Sequence, residues 1–188
     1  MGIDRMNADC TNGMVMIQGK SIAALLNPRP VALVTCCDSD CTPNVLSVAW
    51  HTPLSHDPPM VGISIDQRRY SHALISQCEE FVLNVVSSEF ENAVDLCGNH
   101  SGREMDKFEA AGLKMSPAYH VRPPLIVGAL AHLECTVVNY ICTGDHTFFV
   151  GRILYAEAEA GCFGDCWDTQ NGKVLLCLQR DRFGSWMR

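Results

Sequence analysis

The sequence predicts a mainly β fold, an antiparallel barrel carrying short helical insertions. Three observations predict it. Most of the chain falls into stretches that are β-branched or alternate in polarity, the longest two are separated by a short polar turn, and the helical signals between strands are brief. A parallel α/β sheet would instead alternate strands with longer amphipathic helices.

Taken in order, residues 30–37 (PVALVTCC) form a first strand, and a polar turn at 38–43 joins it, hairpin-like, to a second at 44–54. Strands at 60–65 and 81–85 follow. The longest strands, 130–141 and 147–157, flank Thr143-Gly144-Asp145, and 174–178 is a late short strand. Ser71 is placed as the N-cap of a helix over 72–78. Ser87 or Ser88 precedes a helix over 89–96, with Glu91 positioned for a capping box if Ser88 is the cap. A third helix over 106–111 stops at Gly112, a suitable C-cap.

The 188 residues suit a single domain, 1–188. Its core is expected at about 20–160, with a C-terminal extension at 161–188. Hydrophobic residues make up 47% and charged residues 19%, which is enough for a full core. A formal net charge of −7 argues against a nucleic-acid partner. No stretch reaches the ~18 apolar residues of a membrane span, because Gly128 and His132 interrupt the longest one. Residues 1–12 carry Asp4, Arg5 and Asp9 and no apolar run, so a cytoplasmic protein is expected. The cysteines number 11, an odd count, and are expected as reduced thiols, mostly small buried hydrophobes. Their spacing predicts no metal site, although Cys162 and Cys166 leave a thiol or metal role open. Glycine-rich nucleotide motifs of the Rossmann and P-loop kinds are absent, so a phosphate-bearing cofactor needs another device.

Residues 65–72 (IDQRRYSH) lie between a strand and a helix start. Arg68 and Arg69 bring forked donors, Ser71 a hydroxyl, and the first N–H groups of the helix, running into His72, bring oriented dipoles. The segment is either a phosphate cradle or a capped surface helix with two solvated arginines. Lys107, in Asp106-Lys107-Phe108, either reaches the same anion across the fold or is simply solvated. Residues 44–50 (NVLSVAW) alternate and end in an aromatic. Asn44, Ser47 and the adjoining backbone of Val45 and Leu46 suit the polar edge of a flat ring. Trp50 is either a wall for that ring or core packing. Asn84 stands in the apolar run 81–86, where an amide without partners would cost about 1–3 kcal/mol. It either ties down a neighbouring loop or lines a ligand site. His146, at the turn between the longest strands, is a surface turn residue, or faces a cofactor, or donates a proton.

In their order along the chain these signals resemble the flavin reductase-like, flavoredoxin-type family. The matching runs are 27–35 (NPRPVALVT, containing Arg29), 43–50 (PNVLSVAW), 57–61 (DPPMV), 69–72 (RYSH) and 80–85 (EFVLNV). They continue with 106–108 (DKF), 133–135 (LEC) and 144–146 (GDH) followed by Val150-Gly151. The resemblance implies an FMN-binding split β-barrel of Greek-key type, a homodimer with flavin near the subunit interface, noncovalent FMN, and NAD(P)H as electron donor. The implied activity is an NAD(P)H-dependent flavin oxidoreductase acting on a small-molecule flavin or another acceptor. The alternatives are an FMN-containing carrier serving an electron-transfer protein partner without direct nicotinamide use, and a non-enzymatic flavin- or haem-binding module.

By the same resemblance, Arg69, Ser71 and Lys107 match positions around the phosphate, and Asn44, Ser47 and Trp50 match the strand beside the isoalloxazine. The backbone at Thr35 and Cys36 falls on the neighbouring strand. Arg29, Arg68, His72 and Asn84 complete the expected cofactor-binding set, and His146 matches a histidine near the flavin as the candidate catalytic residue. Ser71 stands where threonine is common and keeps the hydroxyl, whereas Cys36 replaces a second threonine and leaves only its backbone to serve. Hydride transfer from nicotinamide C4 to flavin N5 needs no acidic general base, and backbone amides along 44–50 are expected to stabilise the reduced ring near N1 and O2. Residues 161–168 are read as a loop over the site or a partner surface, and Trp186 as packing on a neighbouring subunit.

Overall fold

The computed structural model describes residues 14–179 and 182–185, so the readings of residues 1–12 and of Trp186 lie outside the described residues. A 3-10 turn over Gly19–Leu26 leads into β1 (Arg29–Pro30), β2 (Ala32–Cys37), β3 (Pro43–Val48), β4 (His51–His56) and β5 (Pro59–Asp66). Helix α1 (Tyr70–Cys78) precedes β6 (Glu80–Val85), and α2 (Glu91–Asn99) and α3 (Lys107–Ala110) follow it. The short pair β7 (Met115–Ser116) and β8 (Leu125–Ile126) comes next. Two long strands, β9 (Ala131–Thr143) and β10 (His146–Ala158), and the hairpin β11 (Leu175–Gln179) and β12 (Arg182–Ser185) complete the order.

Seven strands form one sheet in the order β3-β2-β6-β9-β10-β5-β4, and its pairings are antiparallel. Its two edge strands, β3 and β4, are consecutive in the chain, with only Ala49 and Trp50 between them. The sheet therefore curls until its edges meet at that corner, where the Ser64 N–H donates to the Trp50 carbonyl at 2.8 Å. Polarity alternation explains which side chains fill the inside. Ala32, Val34 and Cys36 of β2 pack inward with Ile63, Phe81, Leu83 and Phe149. Val31, Leu33 and Val45 point the other way, under Val94 and Cys97 of α2, Phe108 of α3 and Leu175 of β11. Each fully buried Phe, Ile or Leu in these layers contributes about 1.5–3 kcal/mol.

The hairpin turn of the longest strands matches its reading, with Gly144 at φ 64° where a side chain would strain the backbone. Helix α3 is shorter than the 106–111 expected, with Asp106 at its N-cap, accepting from the Phe108 and Glu109 N–H groups, and Ala111 at its C-cap, while Gly112, also at φ 64°, follows as the stop. Other expectations change. The strand read over 44–54 breaks at Trp50, because its second half pairs with β5 while its first half pairs with β2. Val31 interrupts the first strand and donates its N–H to Leu175, which ties β1 to β11 instead of to the barrel. Helix α1 opens at Tyr70 with Arg69 at the cap, so Ser71 sits inside the first turn. The cause is the turn before it, in which the Arg69 N–H donates to the Asp66 carbonyl at 2.9 Å. Ser87 caps a 3-10 turn by accepting from the Glu89 N–H, and α2 starts only after that turn.

Candidate functional site

Two cavities, of about 520 and 210 Å³, adjoin beside the corner where the barrel edges meet. Leu46, Ser47, Arg69, Gly98 and Asn99 line both, so the two form one recess with a wide part and a narrow part.

The narrow part is built from the start of α1, the end of α2, the loop after it, and α3. Lys107 lines it although it is only 4% exposed. Its Nζ donates to the Cys97 carbonyl at a long 3.5 Å, and among the described residues no carboxylate lies within ion-pair distance. Burial pushes the ammonium's pKa below the ordinary lysine value. A buried charge without a counter-ion is a large penalty unless something external compensates it. Ser71 lines the same space, and its Oγ accepts from Asn44 Nδ2 at 2.7 Å and also contacts the buried Cys36 thiol. Arg69 is exposed, lines both parts of the recess and has no ion-pair partner among the described residues. Arg68 touches the narrow part but is committed to Asp66 through Nε at 3.0 Å and Nη2 at 2.6 Å, a pairing that holds the Asp66 carboxyl well below the usual carboxylate range. Cys97 also lines this space, and burial pushes its thiol up to about 11, so it stays protonated.

The wide part has a flat aromatic wall. Trp50 is 40% exposed instead of buried, and stacks on His146 with ring centroids 4.8 Å apart and planes 25° from parallel. The His146 Nδ1–H donates to Asp145 at 2.7 Å, which fixes the ring, and this contact holds the Asp145 carboxyl below its ordinary value. Arg29 lays its guanidinium 5.6 Å from the Trp50 centroid. Ser47 lines the recess, but its hydroxyl donates to the Val94 carbonyl and pins α2 over β3. Leu46 adds an apolar floor.

Six expected site residues have side chains that do not line the recess. Thr35 is fully buried and donates to the Pro124 carbonyl at 2.6 Å. Asn84 donates to the Leu33 carbonyl and accepts from the Ile126 N–H, both at 2.9 Å, so it ties down β8. Val45 faces the layer under α2. His72 lies against Phe149, with Nε2 2.8 Å from Thr147 Oγ1. Cys36 is buried behind Asn44, and desolvation pushes its thiol up to about 11. Asn44 itself stands behind the recess and acts on it by holding Ser71.

Sequence reasoning missed three contributors. One is the stretch Gly98–Gly102, where the only cue is the pair of glycines. A Cβ on Gly102 would fall 2.2 Å from Asn44 Oδ1, so the close approach of this loop requires glycine. The others are the N-terminal turn, through Ser21 and Asn27, and the hairpin β11–β12, through Gln179 and Phe183. That hairpin makes the expected extension part of the recess wall. Residues 163–167 form a small turn of their own, with the Phe163 and Trp167 rings edge to face at 5.0 Å.

The family model described as "Flavin reductase like domain" matches residues 25–186. An uncharacterized protein of Archaeoglobus fulgidus is 42% identical over 113 residues, which span 60% of this chain and 64% of that relative's length. The NADH-dependent FAD reductase of Streptomyces globisporus is 29% identical over 130 residues, 69% of each chain. The FMN-binding protein of Thermus thermophilus, solved with bound p-hydroxybenzaldehyde, superimposes with a TM-score of 0.78 at 26% identity, covering 96% of this chain and 95% of that one. The curled sheet is the split β-barrel of such flavin-binding proteins.

Proposed function

From the premise that this chain belongs to the flavin reductase-like family, we propose that it holds FMN noncovalently in the joined cavities and passes electrons from a reduced nicotinamide nucleotide to a flavin or another acceptor. The observation that carries this reading is Lys107, a buried ammonium without a carboxylate, at one wall of a pocket that Ser71 and Arg69 also line. That donor set suits a phosphate dianion, which would supply the missing counter-charge. The adjoining wide cavity, with the stacked Trp50 and His146 on one side and Leu46 on another, suits a flat ring.

Bound flavin supplies the redox chemistry, accepting a hydride equivalent and releasing electrons to the acceptor. The chain's own residues bind and orient. Arg69, Ser71 and Lys107 neutralise and anchor the phosphate, with Asn44 holding the Ser71 hydroxyl in place. Trp50 and His146 wall the ring, and Asp145, accepting from the His146 Nδ1–H, orients that imidazole at the ring's edge. The reading includes a cytoplasmic homodimer. The 10 free cysteines among the described residues accord with a reducing compartment, and the exposed Val138, Tyr140 and Ile141 on the β9–β10 hairpin offer apolar surface to a second copy. The carrier alternative, in which a protein partner replaces the nicotinamide, is favoured by the net charge of −7, which would steer a basic partner.

Purified protein, titrated with FMN and then mixed anaerobically with NADH or NADPH, tests the proposal. Stoichiometric FMN uptake followed by rapid bleaching of the flavin is expected. Uptake without bleaching selects the carrier, and failure to take up FMN overturns the proposal.

A further inference from the structure

We infer that Arg29 recognises the anionic substituent, carboxylate or phosphate, of a planar substrate or electron donor that enters the wide cavity. Its place beside a flavin rests on the function proposed above, whereas its affinity for the anion is testable separately.

Arg29 is half-buried and held in place from two sides. Its Nε donates to Asn27 Oδ1 at 3.1 Å and its Nη2 to the Ala23 carbonyl at 2.9 Å. Asn27 is itself fixed, donating to the Leu178 carbonyl on β11 at 2.9 Å. The guanidinium is thus preorganised against Trp50 before any ligand arrives. Both of these hydrogen bonds go to neutral acceptors, and among the described residues no carboxylate pairs with it. The acids that line the same cavity have other engagements, since Asp66 holds Arg68 and Asp95 accepts from Asn99 Nδ2 at 2.9 Å. Arg69 is shared with the narrow pocket, but Arg29 belongs to the wide cavity alone. Its remaining donors match the fork of a carboxylate or phosphate, and its place beside Trp50, which walls one face of the proposed flavin ring, leaves the opposite face for the ring carrying that anion.

Calorimetric titration of the FMN-loaded protein with nicotinate, nicotinamide and NAD+ tests this. Nicotinate and nicotinamide share a ring and differ in charge, and NAD+ presents phosphates in place of a carboxylate. Wild type should favour nicotinate or NAD+ over nicotinamide by about tenfold or more, the effect of one charge-assisted contact. A preference for nicotinate assigns a carboxylate, and a preference for NAD+ alone assigns a phosphate. Arg29→Gln should abolish the preference and Arg29→Lys should keep part of it, with thermal melting confirming that both variants fold. No preference in wild type, a preference that survives in Arg29→Gln, or an equal weakening of FMN affinity in Arg29→Gln would each overturn the assignment. Repeating the titration without FMN separates the two claims. A protein that takes up no flavin yet shows an Arg29-dependent preference retains the anion site and loses the flavin reading.

Discussion

Lys107→Met removes the buried ammonium and leaves a stem of similar length. In the wild-type protein that group is 4% exposed, and its protein partner is a carbonyl at 3.5 Å, so its charge is poorly compensated until an anion enters. A lost charge-assisted contact costs about 1.5–3 kcal/mol, which is roughly 10- to 150-fold in affinity. The FMN dissociation constant should rise by that factor, whereas riboflavin, which has no phosphate, should bind both proteins alike. Without ligand the variant should be at least as stable as wild type, because a charge has left a buried position. The pH dependence has a definite sign. Burial lowers the ammonium's pKa in the folded protein, so between that value and the ~10.4 of an unfolded lysine the unfolded chain binds more protons. Ligand-free stability should therefore rise with pH through this window while FMN affinity falls, and the methionine variant should lose both slopes. Fluorescence titration with each flavin, together with urea unfolding across pH, reads all of these. Equal losses for FMN and riboflavin, or no loss for either, would refute the reasoning.

Three further outcomes are expected. Trp50→Leu removes the aromatic wall while leaving the barrel core intact, and should weaken both FMN and riboflavin by about 0.5–1.5 kcal/mol in the same titration. Asn84→Leu strands the Leu33 carbonyl and the Ile126 N–H at about 1–3 kcal/mol each, so the urea midpoint should fall while the folded fraction still binds FMN. Gly151→Val should destabilise by at least about 1–3 kcal/mol, since even a Cβ there would lie 2.5 Å from the fully buried Phe81 ring, and the midpoint should drop with little change in slope.

Local chemistry made much of the fold legible. The hairpin of β9 and β10 follows from alternation on both sides of a glycine that must adopt positive φ, and α3 follows in part from its Gly112 stop, although Asp106 is its cap and not its first residue. The break at Trp50 was hidden because both halves alternate in polarity, and only their different partners separate them. Asn84 was visible as a polar residue in an apolar strand, and Thr35 only through the family resemblance. Their partners, however, lie 89 and 42 positions away on the loop before and within β8, a distance no local pattern encodes. Within the candidate site, Arg69, Ser71 and Lys107 were readable from residue type and order. The recess wall supplied by Gly98–Gly102 and by Gln179 and Phe183 depends on how α2 and the last hairpin pack, which is a tertiary outcome.

Crystals of the protein grown with FMN test the central claim most directly. The account predicts the phosphate within hydrogen-bonding distance of Arg69, Ser71 and Lys107, with the ring alongside Trp50. Flavin seated elsewhere, or a phosphate remote from Lys107, would contradict it.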